Sequence, residues 1–236
     1  MSSVLSRKMP PKDYRDRLLS DVHVGLKNVT DCGTISYVKG TYDYYHYGCD
    51  GFSDKGWGCG YRTLQTLCSW VKESLKGKGS PPPVPHIREI QRVLVSIEDK
   101  PTHFIGSRDW IGCFEACLVL DVLYSVSCKV IHIPSGQQLC KHIPELMEHF
   151  SQLGSPVMMG GDKDCSAKCI VGVHMDVERN EASLLVVDPH FWGVAADRYQ
   201  LQREGWVCWK QLSEFLDSSF YNLCLPQLSS ELEPSV

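Results

Sequence analysis

The sequence predicts an α+β fold in which helices pack on a mostly antiparallel sheet. Apolar residues with helical spacing are concentrated in the first half of the chain, from residue 59 to residue 150. Short apolar runs typical of strands lie mainly in the second half. The two halves share no repeat. Because helices and strands form separate runs instead of alternating, the pattern favours α+β over a parallel α/β sheet.

The helices are predicted from their apolar faces. The first begins near Cys59, and its apolar face is formed by Tyr61, Leu64, Leu67, Cys68, Val71 and Leu75. A Gly- and Pro-rich linker at residues 77–83 separates it from a second helix over residues 87–97. The turn at residues 106–109 predicts the start of a third helix, whose apolar stripe is formed by Trp110, Phe114, Cys117 and Leu118. A further amphipathic helix is predicted over residues 139–150.

The strands are predicted from short runs of β-branched and aromatic residues. The segment 42–47, just before the first helix, is dense in tyrosine and is predicted to be a strand. The other predicted strands span residues 128–133, 157–159, 170–177, 183–187, 206–209 and 221–225. The polar turn at residues 178–181 joins two of these runs, so they are predicted to form a β-hairpin. A short helix is predicted between the last two strands.

The length of 236 residues allows one large domain. Residues 1–20 are polar and contain Pro10 and Pro11, so they are predicted to form a flexible tail or a helix lying on the surface. The last residues, 229–236, are predicted to be a disordered tail. The folded domain is therefore expected to span residues 21–228.

The composition excludes several classes of function. Hydrophobic residues make up 43% of the chain, charged residues make up 22%, and the formal net charge is −4. This mild charge favours neither nucleic acid nor a membrane surface as a partner. The N-terminus lacks the apolar core of a signal peptide, and no apolar run reaches transmembrane length. The twelve cysteines therefore indicate reduced thiols in a cytoplasmic protein, which we expect to be a monomer.

Cys59 is a candidate nucleophile because of its position at the start of the first predicted helix. Free N–H groups and the positive end of the helix dipole favour an anion there, and a thiolate is such an anion. The glycines at positions 58 and 60 remove side-chain bulk on both sides of the cysteine, so that a substrate backbone can approach the sulfur. A buried structural cysteine in a tight turn is the alternative interpretation.

Asp188 and His190 are the candidate partners of this cysteine. Residues two apart in a strand point to the same face, so the two side chains are predicted to lie side by side where the strand 183–187 ends. Pro189 between them cannot donate to a sheet, which places the pair at a sheet end. A turn without function is the alternative for an isolated Asp-x-His. However, an activated cysteine needs a base that a third group orients, and these residues supply all three roles.

These residues resemble a known family, the cysteine proteases specific for the ubiquitin-fold modifier. The resemblance rests on Gly-Trp-Gly-Cys-Gly-Tyr-Arg at residues 56–62 and on Asp-Pro-His at residues 188–190. It continues through residues 45–47, 63–70, 106–108, 110–112, 156–158, 160–161 and 221–225, and it covers about residues 20–228. Residues 162–169 fit the family pattern less well. The lack of a large N-terminal extension and the Trp-Gly pair at residues 192–193 are similar to the short form of the family.

The resemblance implies a papain-like catalytic domain over residues 21–228, with Cys59 as the nucleophile, His190 as the base and Asp188 as its orienting partner. It also implies that the Tyr47 hydroxyl donates to the oxyanion hole. The implied reaction is hydrolysis after the C-terminal glycine of the modifier. This reaction matures the precursor and releases the modifier from its protein conjugates, so the modifier and those conjugates are the implied partners.

Two other functions stay open at this point. The autophagy proteases that trim another ubiquitin-like protein share Gly-Trp-Gly-Cys and Asp-Pro-His, although they usually carry a different residue pair after the cysteine. A non-catalytic protein that keeps the modifier groove without turnover is the other alternative. A substrate groove is predicted around Trp57, Gly58 and Trp192, which are placed to wall a channel for an extended tail; core packing is the alternative for both tryptophans.

Neither a metal nor another cofactor is expected. Cys165, Cys169 and His174 are a possible ligand set, but their C-x₃-C spacing is not that of the usual zinc knuckle, and no second pair lies at a suitable distance. Cys113 and Cys117 are one helical turn apart on an apolar face, which is typical of core residues.

Overall fold

The computed structural model describes residues 12–30, 32–77 and 79–228. Its first element is a 3₁₀ helix, Lys12–Arg17. Tyr14 in this helix is only 3% exposed, and its hydroxyl accepts a hydrogen bond from the N–H of Ala195 at 3.0 Å. This part of the predicted tail is therefore packed on the domain rather than flexible. Residues 1–11, and the predicted tail at residues 229–236, lie outside the described residues.

The fold is built on a sheet that has seven strands within the described residues. They are β1 Thr34–Tyr37, β2 Cys128–Ile133, β3 Val157–Gly161, β4 Ala167–Asp176, β5 Glu181–Val187, β6 Val207–Gln211 and β7 Tyr221–Pro226. The strand order is β2-β7-β3-β4-β5-β6, and β1 pairs with β4 outside this path. All of these pairings are antiparallel, which confirms the predicted sheet and the β4–β5 hairpin.

The helices pack on this sheet, as an α+β fold requires. Their bounds are α1 Cys59–Ser74, α2 Ile87–Ser96, α3 Cys113–Tyr124, α4 Ile143–Gln152 and α5 Arg198–Arg203. The predicted starts of α1 and α2 are confirmed. The helix predicted over residues 139–150 is instead a 3₁₀ helix, Gly136–His142, followed by α4, because Pro144 lacks an N–H and favours a helix start. Within the described part of the chain, no helix combines the length and apolar character needed to cross a bilayer.

Three smaller elements complete the comparison with the sequence. The short helix predicted between the last two strands is a 3₁₀ helix, Leu212–Glu214. The sequence analysis did not predict β1 or α5. Both elements are short: β1 has four residues and α5 has six, so neither shows enough apolar periodicity to be recognised.

The strand predicted for residues 42–47 is wrong. This segment is extended and buried, but only isolated bridges at Asp43 and Tyr47 involve it in sheet-like pairing. Its N–H groups find other acceptors: the N–H of Asp43 donates to the Ser69 hydroxyl at 2.9 Å, and that of Tyr45 donates to the Thr66 hydroxyl at 3.1 Å. Because hydroxyl groups of α1 accept hydrogen bonds from these two N–H groups and other segments accept further ones, the segment needs no neighbouring strand.

The third helix starts later than predicted and buries a different face. It begins at Cys113, where the Glu115 carboxylate accepts a hydrogen bond from the N–H of Gly112 at 2.9 Å. Two residues of the predicted stripe, Trp110 and Phe114, are 57% and 61% exposed. The residues that α3 buries are Cys113, Ala116, Val119, Leu120 and Tyr124. Residues 107–112 run as a coil beside the start of α1 and do not form a first helical turn.

Candidate active site

Cys59 is the first residue of α1, as predicted, and it is 8% exposed. Gly58 precedes it and offers no capping side chain, so the N–H groups of the first turn have no side-chain acceptor at the cap. Burial raises the pKa of the Cys59 thiol. Hydrogen bonds from His190, from the Ala167 backbone and from Tyr47 act in the opposite direction, and the net pKa lies below its ordinary value.

Asp188 and His190 follow directly after β5. The N–H of Asp188 donates to the Trp206 carbonyl at 2.8 Å, which extends the sheet pairing by one residue. The Asp188 carboxylate accepts from the His190 N–H at 3.0 Å and also contacts Nδ1 of the same imidazole. Burial lowers the pKa of His190, but the hydrogen bonds and charges of Asp188 and Cys59 raise it to about 9. Burial raises the pKa of Asp188, and His190 brings it below its ordinary value.

These directions favour one charge state for the pair. The pKa of the thiol is lowered and the pKa of the imidazole is raised, so a thiolate at Cys59 and an imidazolium at His190 stabilise each other. The carboxylate of Asp188 holds the imidazolium by its Nδ1 side and leaves the other ring nitrogen for the sulfur. The structure thus brings the three predicted residues together. Such a pair can attack a carbonyl carbon and then return a proton to a leaving group.

Tyr47 lies against the same pair. Its ring meets the imidazole of His190 edge to face, with 5.1 Å between the centroids. Its hydroxyl forms a hydrogen bond with the Cys59 sulfur and accepts one from the Gly56 N–H. Burial raises the pKa of this phenol, and the nearby sulfur raises it further, so Tyr47 keeps its proton and stays a donor. The Tyr47 N–H donates to the Pro189 carbonyl at 2.9 Å, which fixes the tyrosine relative to the histidine.

The predicted groove residues occupy two different places. A groove of about 240 Å³ beside Cys59 is lined by Trp57, by Trp110–Cys113, by Gly160–Gly161 and by Cys165–Ala167, among others. Trp192 is not among the residues that line this groove. Its ring packs over Gly48, and Lys55 Nζ lies 5.8 Å from the ring centroid. Trp57 thus lines the groove, and Trp192 packs against the loop that leads to α1. Their roles in substrate binding stay predictions.

The two glycines beside Cys59 are explained by close packing. A Cβ on Gly58 would lie 2.3 Å from the Asp54 carboxylate, and a Cβ on Gly60 would lie 2.4 Å from the Ile111 carbonyl oxygen. Each distance is too short for any side chain. These glycines therefore let the preceding loop and the coil 107–112 approach the first turn of α1, which differs from the predicted role of admitting substrate.

Asp54 belongs to the site and was missed by the sequence analysis. It is fully buried, and one carboxylate oxygen accepts from the Gly48 N–H at 2.7 Å. The other accepts from Nε of Arg62 at 2.7 Å, and the same guanidinium forms a salt bridge with Asp50 at 2.7 Å. This buried network holds the loop between Tyr47 and Cys59. The signal in the sequence is the pair of loop aspartates that precede an arginine in the apolar helix.

The structure does not bring the possible metal ligands Cys165, Cys169 and His174 together. Cys169 and His174 lie five residues apart in β4, which separates them by about 16 Å. Cys165 is exposed, whereas Cys169 is buried. Nε2 of His174 is 2.9 Å from the Cys32 carbonyl oxygen, so this histidine donates a structural hydrogen bond.

Known proteins share both the sequence and the fold. The chain is 44% identical over 209 residues to Ufm1-specific protease 1 of Mus musculus, a match that covers 88% of this chain and 93% of the relative. It is 45% identical over 226 residues to the probable Ufm1-specific protease 1 of Drosophila melanogaster, covering 95% of this chain and 93% of the relative.

A solved structure of UfSP from C. elegans superposes with a TM-score of 0.79 at 36% sequence identity. The match covers 97% of this chain but only 40% of that longer chain. The profile of Peptidase family C78 matches residues 33–224, a span that contains Tyr47, Cys59, Asp188 and His190. The chain therefore belongs to Peptidase family C78.

Proposed function

We propose that this protein is a thiol protease that hydrolyses the bond after the C-terminal glycine of Ufm1. It matures the Ufm1 precursor and releases Ufm1 from conjugated proteins. The observation that carries the proposal is the meeting of Cys59, His190 and Asp188 in a C78 chain. The named specificity of the relatives that are 44–45% identical over most of their length supports the substrate.

In the proposed mechanism, the thiolate of Cys59 attacks the carbonyl carbon of the terminal glycine. The imidazolium of His190 gives its proton to the leaving amine, the C–N bond breaks, and a thioester links Ufm1 to the sulfur. His190 then takes a proton from a water molecule, which hydrolyses the thioester and restores the thiolate. The Tyr47 hydroxyl donates to the oxygen that becomes negative in both steps.

The tail of Ufm1 reaches the sulfur through the groove that Trp57 lines. The groove volume of about 240 Å³ suits a thin extended segment better than a folded surface. The protein acts as a monomer in the cytoplasm, where its twelve cysteines stay reduced. We include neither nucleic acid nor a membrane among the partners, because the net charge of −4 is mild.

The test is covalent trapping by Ufm1 that carries an electrophile in place of its terminal carboxylate. We expect one adduct at Cys59 in the wild-type protein and none in Cys59→Ser. His190→Ala should form the adduct far more slowly, because the thiolate loses its partner. Cys68→Ala is the matched control, since Cys68 lies in the same helix and is fully buried.

The outcomes separate the alternatives. A tight complex with Ufm1 but no adduct in the wild type would identify a non-catalytic binding protein. Preferential trapping by the autophagy-type modifier would support the other protease class. Release of the extra residues from a Ufm1 precursor, abolished by Cys59→Ser and by His190→Ala, confirms the hydrolysis itself.

A second measurement tests the specificity for glycine. If the groove is as narrow beside Cys59 as its lining indicates, a methyl group at the last residue clashes with it. We expect alanine in place of the terminal glycine of the precursor to lower kcat/KM at least about tenfold, equal to about 1.4 kcal/mol. Similar kcat/KM values for the two precursors would show that specificity comes from the body of the modifier.

A further inference from the structure

Three cysteines outside the candidate active site converge at one end of the sheet. Cys117 comes from α3, Cys128 begins β2, and Cys224 lies in β7. Their sulfur atoms all lie within 4.8 Å of one another, and those of Cys117 and Cys224 are 3.2 Å apart. Cys117 and Cys224 are 107 residues apart in the sequence, so no spacing motif indicates this cluster.

The three thiols are close enough to share a single cation. The Cys117 thiol donates a hydrogen bond to the Cys224 sulfur at 3.2 Å, and the Cys128 sulfur lies within 4.8 Å of both. Because the thiolate and not the thiol is the metal ligand, a soft cation can take the place of the thiol protons between these sulfurs.

The surroundings favour a divalent ion over a monovalent one. The carboxylates of Glu115 and Asp121 lie near Cys117 and Cys128, respectively, and Glu115 also pairs with Lys100 at 2.6 Å. Three thiolates around a monovalent ion would carry a net charge of −2 beside these carboxylates. A divalent ion halves that charge, and thiolates select soft or borderline ions such as zinc.

We propose that Cys117, Cys128 and Cys224 form a binding site for zinc(II), with the three sulfurs as ligands and water in a fourth position. Zinc–sulfur bonds of about 2.3 Å require sulfur–sulfur distances near ~3.8 Å. The cluster meets this requirement with small side-chain movements, since its sulfurs already lie within 4.8 Å. Cys117 and Cys128 are half-buried, so water reaches the site. Binding releases the thiol protons to solvent, and three thiolates around one zinc(II) ion carry a net charge of −1.

Zinc binding at this site would stabilise one edge of the sheet. Within the described residues, β2 is an edge strand of the sheet and pairs only with β7, whereas α3 packs on both strands. An ion that joins one residue from each of these elements ties the edge strand to the helix. The expected effect is on stability, because α3, β2 and β7 then separate only after the ion has dissociated.

The test uses the full chain in a Cys59→Ala background, which removes the catalytic thiol as a competing ligand. Zinc(II) and cadmium(II) are added separately as the probes. We expect one ion per chain, a thiolate-to-cadmium charge-transfer band in the ultraviolet, and a Tm that rises with zinc concentration. Cys117→Ser, Cys128→Ser and Cys224→Ser should each weaken binding at least tenfold and abolish the rise in Tm.

Two cysteine variants serve as matched controls. Cys113→Ala removes the thiol one turn before Cys117 in the same helix, and Cys140→Ser removes an exposed thiol. Both should bind zinc as the parent does. No binding at one ion per chain, or equal loss in these controls, would overturn the proposal.

A second readout does not depend on the folding of the cluster variants. In the parent chain, zinc should protect Cys117, Cys128 and Cys224 from alkylation, as mapped by mass spectrometry, while Cys140 reacts at an unchanged rate. Unprotected labelling of the three would also overturn the site. Formation of a Cys117–Cys224 disulfide under mild oxidation without zinc binding would identify a redox pair instead, and it would count against the proposal.

Discussion

The two halves of the candidate active site are held in place by different means. The strand half, residues 188–192, is held by backbone hydrogen bonds and by one partly exposed ion pair, whose Asp188 and His190 side chains are 19% and 28% exposed. The helix half, residues 47–59, is held by the ion pairs of Arg62 with Asp50 and Asp54. Those side chains are at most 5% exposed.

This difference separates reacting charges from positioning charges. A charged group near solvent and substrate can exchange protons, whereas a buried, fully paired ion has no route for exchange and fixes geometry. Changes in the strand half should therefore alter the pH dependence of catalysis. Changes to the buried ion pairs of the helix half should alter kcat and stability and leave the pH profile in place. The predictions below test this contrast.

The largest effect is expected for Asp188→Asn, in which an amide replaces the orienting carboxylate. We expect kcat/KM to fall about 10³- to 10⁴-fold, with more residual activity than in Cys59→Ser or His190→Ala. Asp188 raises the pKa of His190 to about 9, so the variant lowers this pKa. Because activity needs the imidazolium, the alkaline limb of the kcat/KM profile lies near pH 9 in the wild type and moves to lower pH in the variant.

Asp176→Asn is the control for this change, since Asp176 is a buried aspartate at the other end of the β4–β5 hairpin. It should leave the alkaline limb where it is. The measurement is kcat/KM against pH with a fluorogenic substrate. An unshifted alkaline limb in Asp188→Asn would mean that Asp188 does not set the charge state of His190.

A smaller loss is expected for Tyr47→Phe. The substitution removes the hydroxyl next to the Cys59 sulfur and keeps the ring that packs on His190. Loss of one oxyanion donor lowers kcat about 10²- to 10³-fold, and we expect this with an unchanged alkaline limb and Tm. The acid limb should move to higher pH, because the hydrogen bond that lowers the pKa of the Cys59 thiol is lost. Tyr45→Phe, two residues away and equally buried, should retain wild-type kcat. The reverse outcome would show that the family resemblance assigns the wrong tyrosine.

The same contrast explains which parts of the candidate site could be predicted from the sequence. In the strand half, Asp188 and His190 are neighbours in one local pattern, so their meeting could be predicted, although they meet in the turn after β5, where the His190 N–H donates to Asp188, and not by strand alternation. Cys59 was found because α1 has a regular apolar face. Asp54 was missed because its partners, Gly48 and Arg62, are joined only by the folded loop. Polar groups of this kind carry no periodicity for a pattern to detect.

The errors in secondary structure have a related cause. Residues 42–47 have the composition of a strand, but hydroxyl groups of α1 bind two of their N–H groups and other segments bind further ones. The stripe predicted for α3 placed Trp110 and Phe114 on a buried face from their spacing, yet Trp110 precedes the helix and lines the groove. Composition indicates which residues prefer burial, and only the tertiary contacts determine which of them are buried.

The smallest catalytic effect is expected for Asp54→Asn in the helix half. The carboxylate uses one oxygen for the Gly48 N–H and the other for Arg62, whereas an amide has a single acceptor oxygen. One buried donor therefore loses its partner, which lowers the free energy of unfolding by about 1–3 kcal/mol. The segment that carries Tyr47 also loosens, so we expect kcat to fall about tenfold with an unchanged pH profile. Asp50→Asn is the matched control, because Asp50 binds the same guanidinium but does not accept from the Gly48 N–H. The stability of this variant should fall similarly, while its kcat stays near the wild-type value. The measurements are urea unfolding and kcat on both variants. An equal fall of kcat in the two would show that Asp54 only stabilises the fold and does not position the segment that carries Tyr47.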